Sequence, residues 1–332
     1  MKIAIVKLSA LGDIVHAMIA LQFIRQAYPE AVIDWVVEQG FASVLENNPD
    51  IHSILPVNLK ALKSDKSRLF SEIARIRAYA KTPYDFVIDA QGLIKSALVS
   101  RRLSASCTGF DRHSIRESLA AYFYKQHVTC PYDANTIDRN VMVLTQPLGL
   151  QISREQIIAK KPFLFYQTPE QSLDEWFKPD QPNVLYVIGS TWPSRNYPKQ
   201  QFVEVIEGLD ANHLLVWGGA QERQDAEWIA ANSKAKVLPK LSLNDLKAAI
   251  ARSDLLIGND TGPTHMAWGL NRPSITLFGP TPVSRVYQTP INQVLKSPSI
   301  VNPYKLDKND FSIGQISADS IIHLARSLLM TR

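Results

Sequence analysis

Two cysteines, Cys107 and Cys130, are all that 332 residues contain, and neither belongs to a Cys-x-x-Cys pair or a Cys/His cluster. That excludes a disulfide framework and a structural zinc site, and points to a reducing compartment. No uninterrupted apolar run approaches the roughly 20 residues that span a bilayer. Met1 leads straight into a strand-like Ile3-Ala-Ile-Val6 without the charged and apolar regions of a signal peptide, so a cytoplasmic location is expected. HExxH, the P-loop lysine signature, GxSxG and GxGxxG are missing as well, and no group of Asp residues has metal-ligand spacing. Tandem repeats and low-complexity segments are also absent.

What is present is a globular composition, 45% apolar and 20% charged. Its length suggests two domains of ordinary size. The net charge of +5 is uneven: residues 1–160 hold 19 Lys/Arg against 15 Asp/Glu, and the remainder 17 against 16. Two basic groups stand out, Lys60 to Arg77 and Lys95 to Lys125. Such bias favours an anionic partner: nucleic acid, acidic lipid or an acidic small molecule. Nucleic acid is the weakest of these, since no recognition motif accompanies the charge.

Apolar runs alternate with helical patterns in the first half. Residues 2–7, 32–37, 51–57 and 86–90 read as strands, and 14–27, 41–47, 68–80 and 93–103 as helices. The rhythm weakens over 161–182, where Pro162, Pro169, Pro179 and Pro182 fall in a polar stretch that reads as a linker. It restarts with strands at 184–188, 214–217, 236–238, 255–258 and 274–278, and residues 316–330 form a closing amphipathic helix. The expectation is α/β: domains 1–160 and 183–315, each a doubly wound parallel sheet, with the last helix packing back on the first domain. Open α/β sheets bind ligands beyond the carboxyl ends of their strands, so residues directly after strands carry the interest.

Four such turns qualify. Asp13 and His16 follow the first strand; from spacing alone Asp13 is either an N-cap or a cleft base, and His16 reads as packed. Ser190, Thr191 and Arg195 follow the first strand of the second half, hydroxyls and a cation suited to a diphosphate or to an ordinary loop. Gly218-Gly219 precede Glu222, placed to accept ribose hydroxyls or merely to charge a helix start. The densest turn is Asp260-Thr261-Gly262-Pro263-Thr264-His265. Its hydroxyls, glycine and free helix amides suit a phosphate-bearing ligand.

With those residues noted, the chain resembles the lipopolysaccharide heptosyltransferases of glycosyltransferase family 9, and among them the inner-core type I. The resemblance runs nearly end to end. It is carried by Ile5-Val6-Lys7, Gly12-Asp13, Asp34-Trp35-Val36-Val37-Glu38, Asp89-Ala90-Gln91-Gly92, Arg116-Glu117, Trp217-Gly218 with Glu222, and Asp260-Thr261-Gly262 with His265. It implies a GT-B architecture of two Rossmann-like domains facing a central cleft. The implied reaction is metal-independent, inverting transfer of heptose from ADP-L-glycero-β-D-manno-heptose to the Kdo of Kdo2-lipid A, on the cytoplasmic face of the inner membrane, with no cofactor. Asp13 matches the family's proposed base. Ser190, Thr191, Arg195, Glu222, Asp260, Thr261, Gly262 and His265 match donor-binding positions, and Lys60, Lys63, Arg116 and Arg139 acceptor-facing ones. Arg195 stands where the family usually has Lys. Two other readings stay open at this point: a relative adding the second heptose, and a binding protein that keeps only the fold.

Overall fold

In the computed structural model, residues 1–330 are described, and they divide between Phe165 and Tyr166 into two compact units. The first contains β1 (Lys2–Val6), α1 (Leu11–Met18), α2 (Ala20–Ala27), β2 (Val32–Glu38), β3 (Ser53–Val57), α3 (Leu69–Tyr79), β4 (Phe86–Asp89) and α4 (Ile94–Leu103). It continues with β5 (Cys107–Phe110), β6 (Gln126–Val128), α5 (Thr136–Thr145) and α6 (Arg154–Ile158). All six strands are parallel in the order β3-β2-β1-β4-β5-β6. Ile3, Ala4, Ile5 and Val6 of β1 have no exposed surface. Helices cover both faces of the sheet, so a central strand must be apolar on each side rather than alternating. α1, α2 and α5 form one layer; α3, α4 and a 3₁₀ turn at Ser118–Phe123 form another.

The second unit repeats the plan with β7 (Asn183–Val187), α7 (Lys199–Glu207), β8 (Asn212–Val216), α8 (Ala220–Ala231), β9 (Lys236–Val237), α9 (Leu243–Arg252) and β10 (Leu255–Asn259). It closes with α10 (Gly262–Gly269), β11 (Ser274–Phe278), β12 (Asn292–Lys296) and α11 (Ala318–Met330). Its parallel order is β12-β11-β10-β7-β8-β9. In both sheets the chain reverses its direction of travel beside the first strand, at the β1/β4 and β7/β10 boundaries. Those are the topological switch points, where ligands bind.

The structure refines four expectations. The stretch 161–182 is not a free linker: Phe163 and Leu164 are buried, and Leu173 packs on Ala248 and Ala249 of α9. The closing helix gives its apolar stripe, Ile321, Ala325 and Leu328, to the second unit's own core beside Phe202 and Val205. The helix read over 14–27 is interrupted at Ile19, and the one over 41–47 is a 3₁₀ turn at Gln39–Val44.

Candidate functional site

In the first unit, α1 begins directly beyond β1 and carries Asp13 in its first turn, where Oδ2 accepts the Ala10 amide at 3.3 Å. The strand ends beneath it are knitted together. Gln91 Oε1 accepts the Leu8 and Ser9 amides at 3.0 Å each, and Lys7 Nζ donates to Ala90 O at 2.8 Å and Asn140 Oδ1 at 3.0 Å. Lys7 is buried, which lowers its pKa; the negative charges of Asp13 and Asp89 oppose that shift. Asp89 itself accepts from the Gln91 and Gly92 amides and from the Tyr124 hydroxyl at 2.8 Å, and burial raises its pKa. The Asp89-Ala90-Gln91-Gly92 block therefore builds the floor on which Asp13 stands. His16 is 3% exposed, as a packed residue should be.

The basic residues differ in what they do. Lys60 lies over the Phe41 ring at 4.3 Å, with its backbone amide on Glu38. Lys63 is exposed on a 3₁₀ turn, and Arg116 is exposed 3.6 Å from Glu117. Arg139, half-buried on α5, is held by local contacts. Its guanidinium donates to Pro131 O and Ser114 O at 2.6 Å and packs against the Phe110 and Tyr132 rings. These bonds tie the Ser114 and Pro131 loop carbonyls to α5. A carboxylate that sequence reasoning did not single out is Glu38, at the carboxyl end of β2. It is 2% exposed, its Oε1 has no hydrogen-bond partner, and burial raises its pKa against the pull of Lys60 and Lys95.

The second unit concentrates its polar groups at the β7/β10 switch point. Asp260, directly after β10, is 1% exposed and is gripped from several sides. His265 Nε2 lies 3.0 Å from Oδ1, Thr281 Oγ1 donates to Oδ2 at 2.7 Å, and Arg195 Nη2 sits 3.0 Å from the same oxygen. Arg285 Nε is 3.9 Å away. Burial alone would raise the Asp260 carboxyl; the His265 bond and the Arg285 and Arg195 charges outweigh it and hold the group far below the usual carboxylate range. Two guanidiniums share this one carboxylate, leaving positive charge in excess. Thr261 is the N-cap residue of α10 and Gly262 its first residue, so the helix's free amides open beside that charge. This combination receives anions.

Glu222 stands across the β7 and β8 ends. Its Oε2 accepts the Gly218 amide at 2.7 Å, and its Cδ lies 2.3 Å from where a Cβ on Gly189 would be. Any larger residue at 189 would evict that carboxylate. Gly258 has an equivalent role below: a Cβ there would meet Val187 Cβ at 2.7 Å and Val187 O at 3.0 Å. Ser190 Oγ donates to Trp192 O at 3.0 Å, folding the loop back, while Thr191 is exposed. The Trp192 ring lies between Arg195, 5.5 Å away, and Lys308, 4.9 Å away. Thr264 is not the open hydroxyl that its neighbourhood suggests. It is 1% exposed, with Oγ1 turned toward Gly258. The sequence marks Thr281 only as the end of an apolar run and gives no sign of Arg285, because only tertiary folding brings them 21 and 25 residues back to Asp260.

Comparison with known proteins agrees with this geometry. The family model described as glycosyltransferase family 9 (heptosyltransferase) matches residues 73–306. The lipopolysaccharide heptosyltransferase 1 of Campylobacter coli is 35% identical, with 99% of each chain covered. That of Pseudomonas aeruginosa is 32% identical over 85% of this chain and 79% of its own. Among solved structures, E. coli heptosyltransferase WaaC with ADP-2-deoxy-2-fluoro heptose superimposes with a TM-score of 0.78 at 25% identity, covering 98% of this chain and 99% of that one. The architecture is thus that of the GT-B heptosyltransferases, and the chain belongs to glycosyltransferase family 9 as a sugar-transferring enzyme.

Proposed function

We propose that this enzyme transfers L-glycero-D-manno-heptose from ADP-heptose to the Kdo of Kdo2-lipid A in the lipopolysaccharide inner core. The single observation that supports it most is the Asp260 cluster: a buried carboxylate that orients two guanidiniums and a histidine around a helix start. That is a seat for a diphosphate. The names of the relatives and the fluorinated ADP-heptose in the WaaC structure point the same way.

In this reading Asp13 removes the proton from an acceptor hydroxyl as its oxygen bonds to the anomeric carbon. The bond from that carbon to the diphosphate breaks, and the electron pair leaves with ADP. One base and no covalent intermediate give inversion. Arg195, Arg285 and the α10 amides receive the departing charge, and Glu222 accepts the ribose hydroxyls. His265 fixes the Asp260 carboxylate, Ser190 shapes the loop, and Thr191, Thr261 and Gly262 face the donor. Lys60, Lys63 and Arg116 attract the acidic acceptor. The scheme needs neither metal nor cofactor. No helix among the described residues is long and apolar enough to cross a membrane. The enzyme reaches its lipid-anchored acceptor from the cytoplasmic side as a peripheral visitor.

The test is ADP release on mixing enzyme, ADP-heptose and Kdo2-lipid A, against the monoheptosylated acceptor as control. Asp13→Asn should abolish release while ADP still binds. Near-normal turnover by that variant would remove Asp13 as the base; turnover only with the monoheptosylated acceptor would reassign the reaction.

A further inference from the structure

The α3/α4 layer of the first unit carries more cationic and exposed apolar surface than the acceptor-facing Lys60, Lys63 and Arg116 account for. Residues 60–81 and 94–128 hold thirteen Lys/Arg and four acids. All four acids are engaged. Asp65 bonds Arg68 and Ser67, Glu72 is buried on the Asn58 amide, Asp111 accepts the His113 and Ser114 amides, and Glu117 accepts the Ile94 amide. The four acids leave nine positive charges in excess, thirteen less four. Among it stand large apolar side chains with no cover: Phe70 is 81% exposed, Tyr122 76% and Leu119 61%, with Leu69 and Leu98 near half. α3 packs beside α4, and α4 beside the Ser118–Phe123 turn, so these side chains belong to one continuous layer.

A polyanion alone calls for the cations and leaves the apolar groups without a purpose. A neutral protein surface calls for the reverse. An anionic lipid surface uses both: cations meet the headgroups, and aromatic and aliphatic side chains enter the boundary of the acyl region. We infer that the α3/α4 layer docks the enzyme on an anionic bilayer, with Phe70 and Tyr122 as its inserting side chains. The inference rests on the lipid-anchored acceptor proposed above, and names the face that meets its membrane.

The test uses the full chain and sedimentation with vesicles of phosphatidylcholine alone or mixed with phosphatidylglycerol. Binding should require phosphatidylglycerol and weaken with salt. The double substitution Phe70→Ser, Tyr122→Ser should lower partitioning at least tenfold, while ADP affinity and turnover on a soluble, deacylated acceptor stay unchanged. A second reporter is Phe70→Trp, whose added emission should shift to the blue with mixed vesicles but not with duplex DNA. Undiminished partitioning of the double variant overturns the inference, as does a Phe70→Trp emission spectrum that the vesicles leave in place. Absence of turnover on the soluble acceptor by the unsubstituted enzyme would instead strike the proposed reaction, so the two failures are separable.

Discussion

Substituting Gly189 by Ala should reproduce the loss of Glu222 without touching Glu222. The added methyl would sit 2.3 Å from Glu222 Cδ and 2.4 Å from Oε1, a separation that cannot be held. What must give is the end of a flexible side chain. The strand itself need not move, so the melting temperature should change little. The carboxylate, once swung away, loses the Gly218 amide and its aim at the ribose. A hydrogen bond to a charged group is worth about 1.5–3 kcal/mol, which is roughly 10- to 150-fold in Kd. Titration calorimetry with ADP should therefore show Gly189→Ala and Glu222→Ala weakened by similar factors. The double variant should be no weaker than either alone, because both remove one interaction. Full ADP affinity in Gly189→Ala beside a weakened Glu222→Ala, or additive losses in the double variant, would refute the coupling.

Arg285→Gln should weaken ADP binding about tenfold and AMP binding less, measured by the same titration, since its charge serves the diphosphate seat beside Asp260. Arg139→Ala should lower stability by about 1–3 kcal/mol in urea unfolding, because the Pro131 and Ser114 carbonyls lose a charged donor; a shift in acceptor KM at unchanged stability would point to the acceptor instead. His213 is 1% exposed, joined to the Tyr186 hydroxyl at 2.9 Å and to Leu209 O, and burial lowers its pKa to about 4. Its folded pKa lies below the unfolded value of about 6.5, so the unfolded chain binds the extra proton first. Stability from this group is complete above about pH 6.5 and declines as pH falls to about 4, by about 3 kcal/mol. Urea midpoints across that window should fall less steeply in His213→Gln.

The sequence made the polar turns legible because each lies within a few residues of the strand that positions it. Asp260 to His265 is one continuous βα turn, so its spacing already describes its geometry. The same locality explains why the central strands could be read: β1 and β10 are buried nearly throughout, and strands buried on both faces read as apolar runs. The edge strands β3 and β9 were read, but β6, β12 and the inner strand β5 were lost. β6 is Gln-His-Val and β12 is Asn-Gln-Val-Leu-Lys, whose polar residues mimic loop, and β5 is a four-residue run containing Thr and Gly. Thr281 and Arg285 were hidden for a different reason: they reach Asp260 only after β11 is in place.

The contact at Gly258 has a consequence for altering what this enzyme accepts. Because β7 and β10 approach so closely there, with Val187 leaving no room for a methyl, the floor beneath the proposed diphosphate seat tolerates no redesign from the strands upward. Engineering for another nucleotide sugar should leave that floor and the Arg195, Thr281 and Arg285 side chains around Asp260 fixed, and vary exposed rim residues such as Thr191 and Pro193, which can be exchanged without prying two neighbouring strands apart.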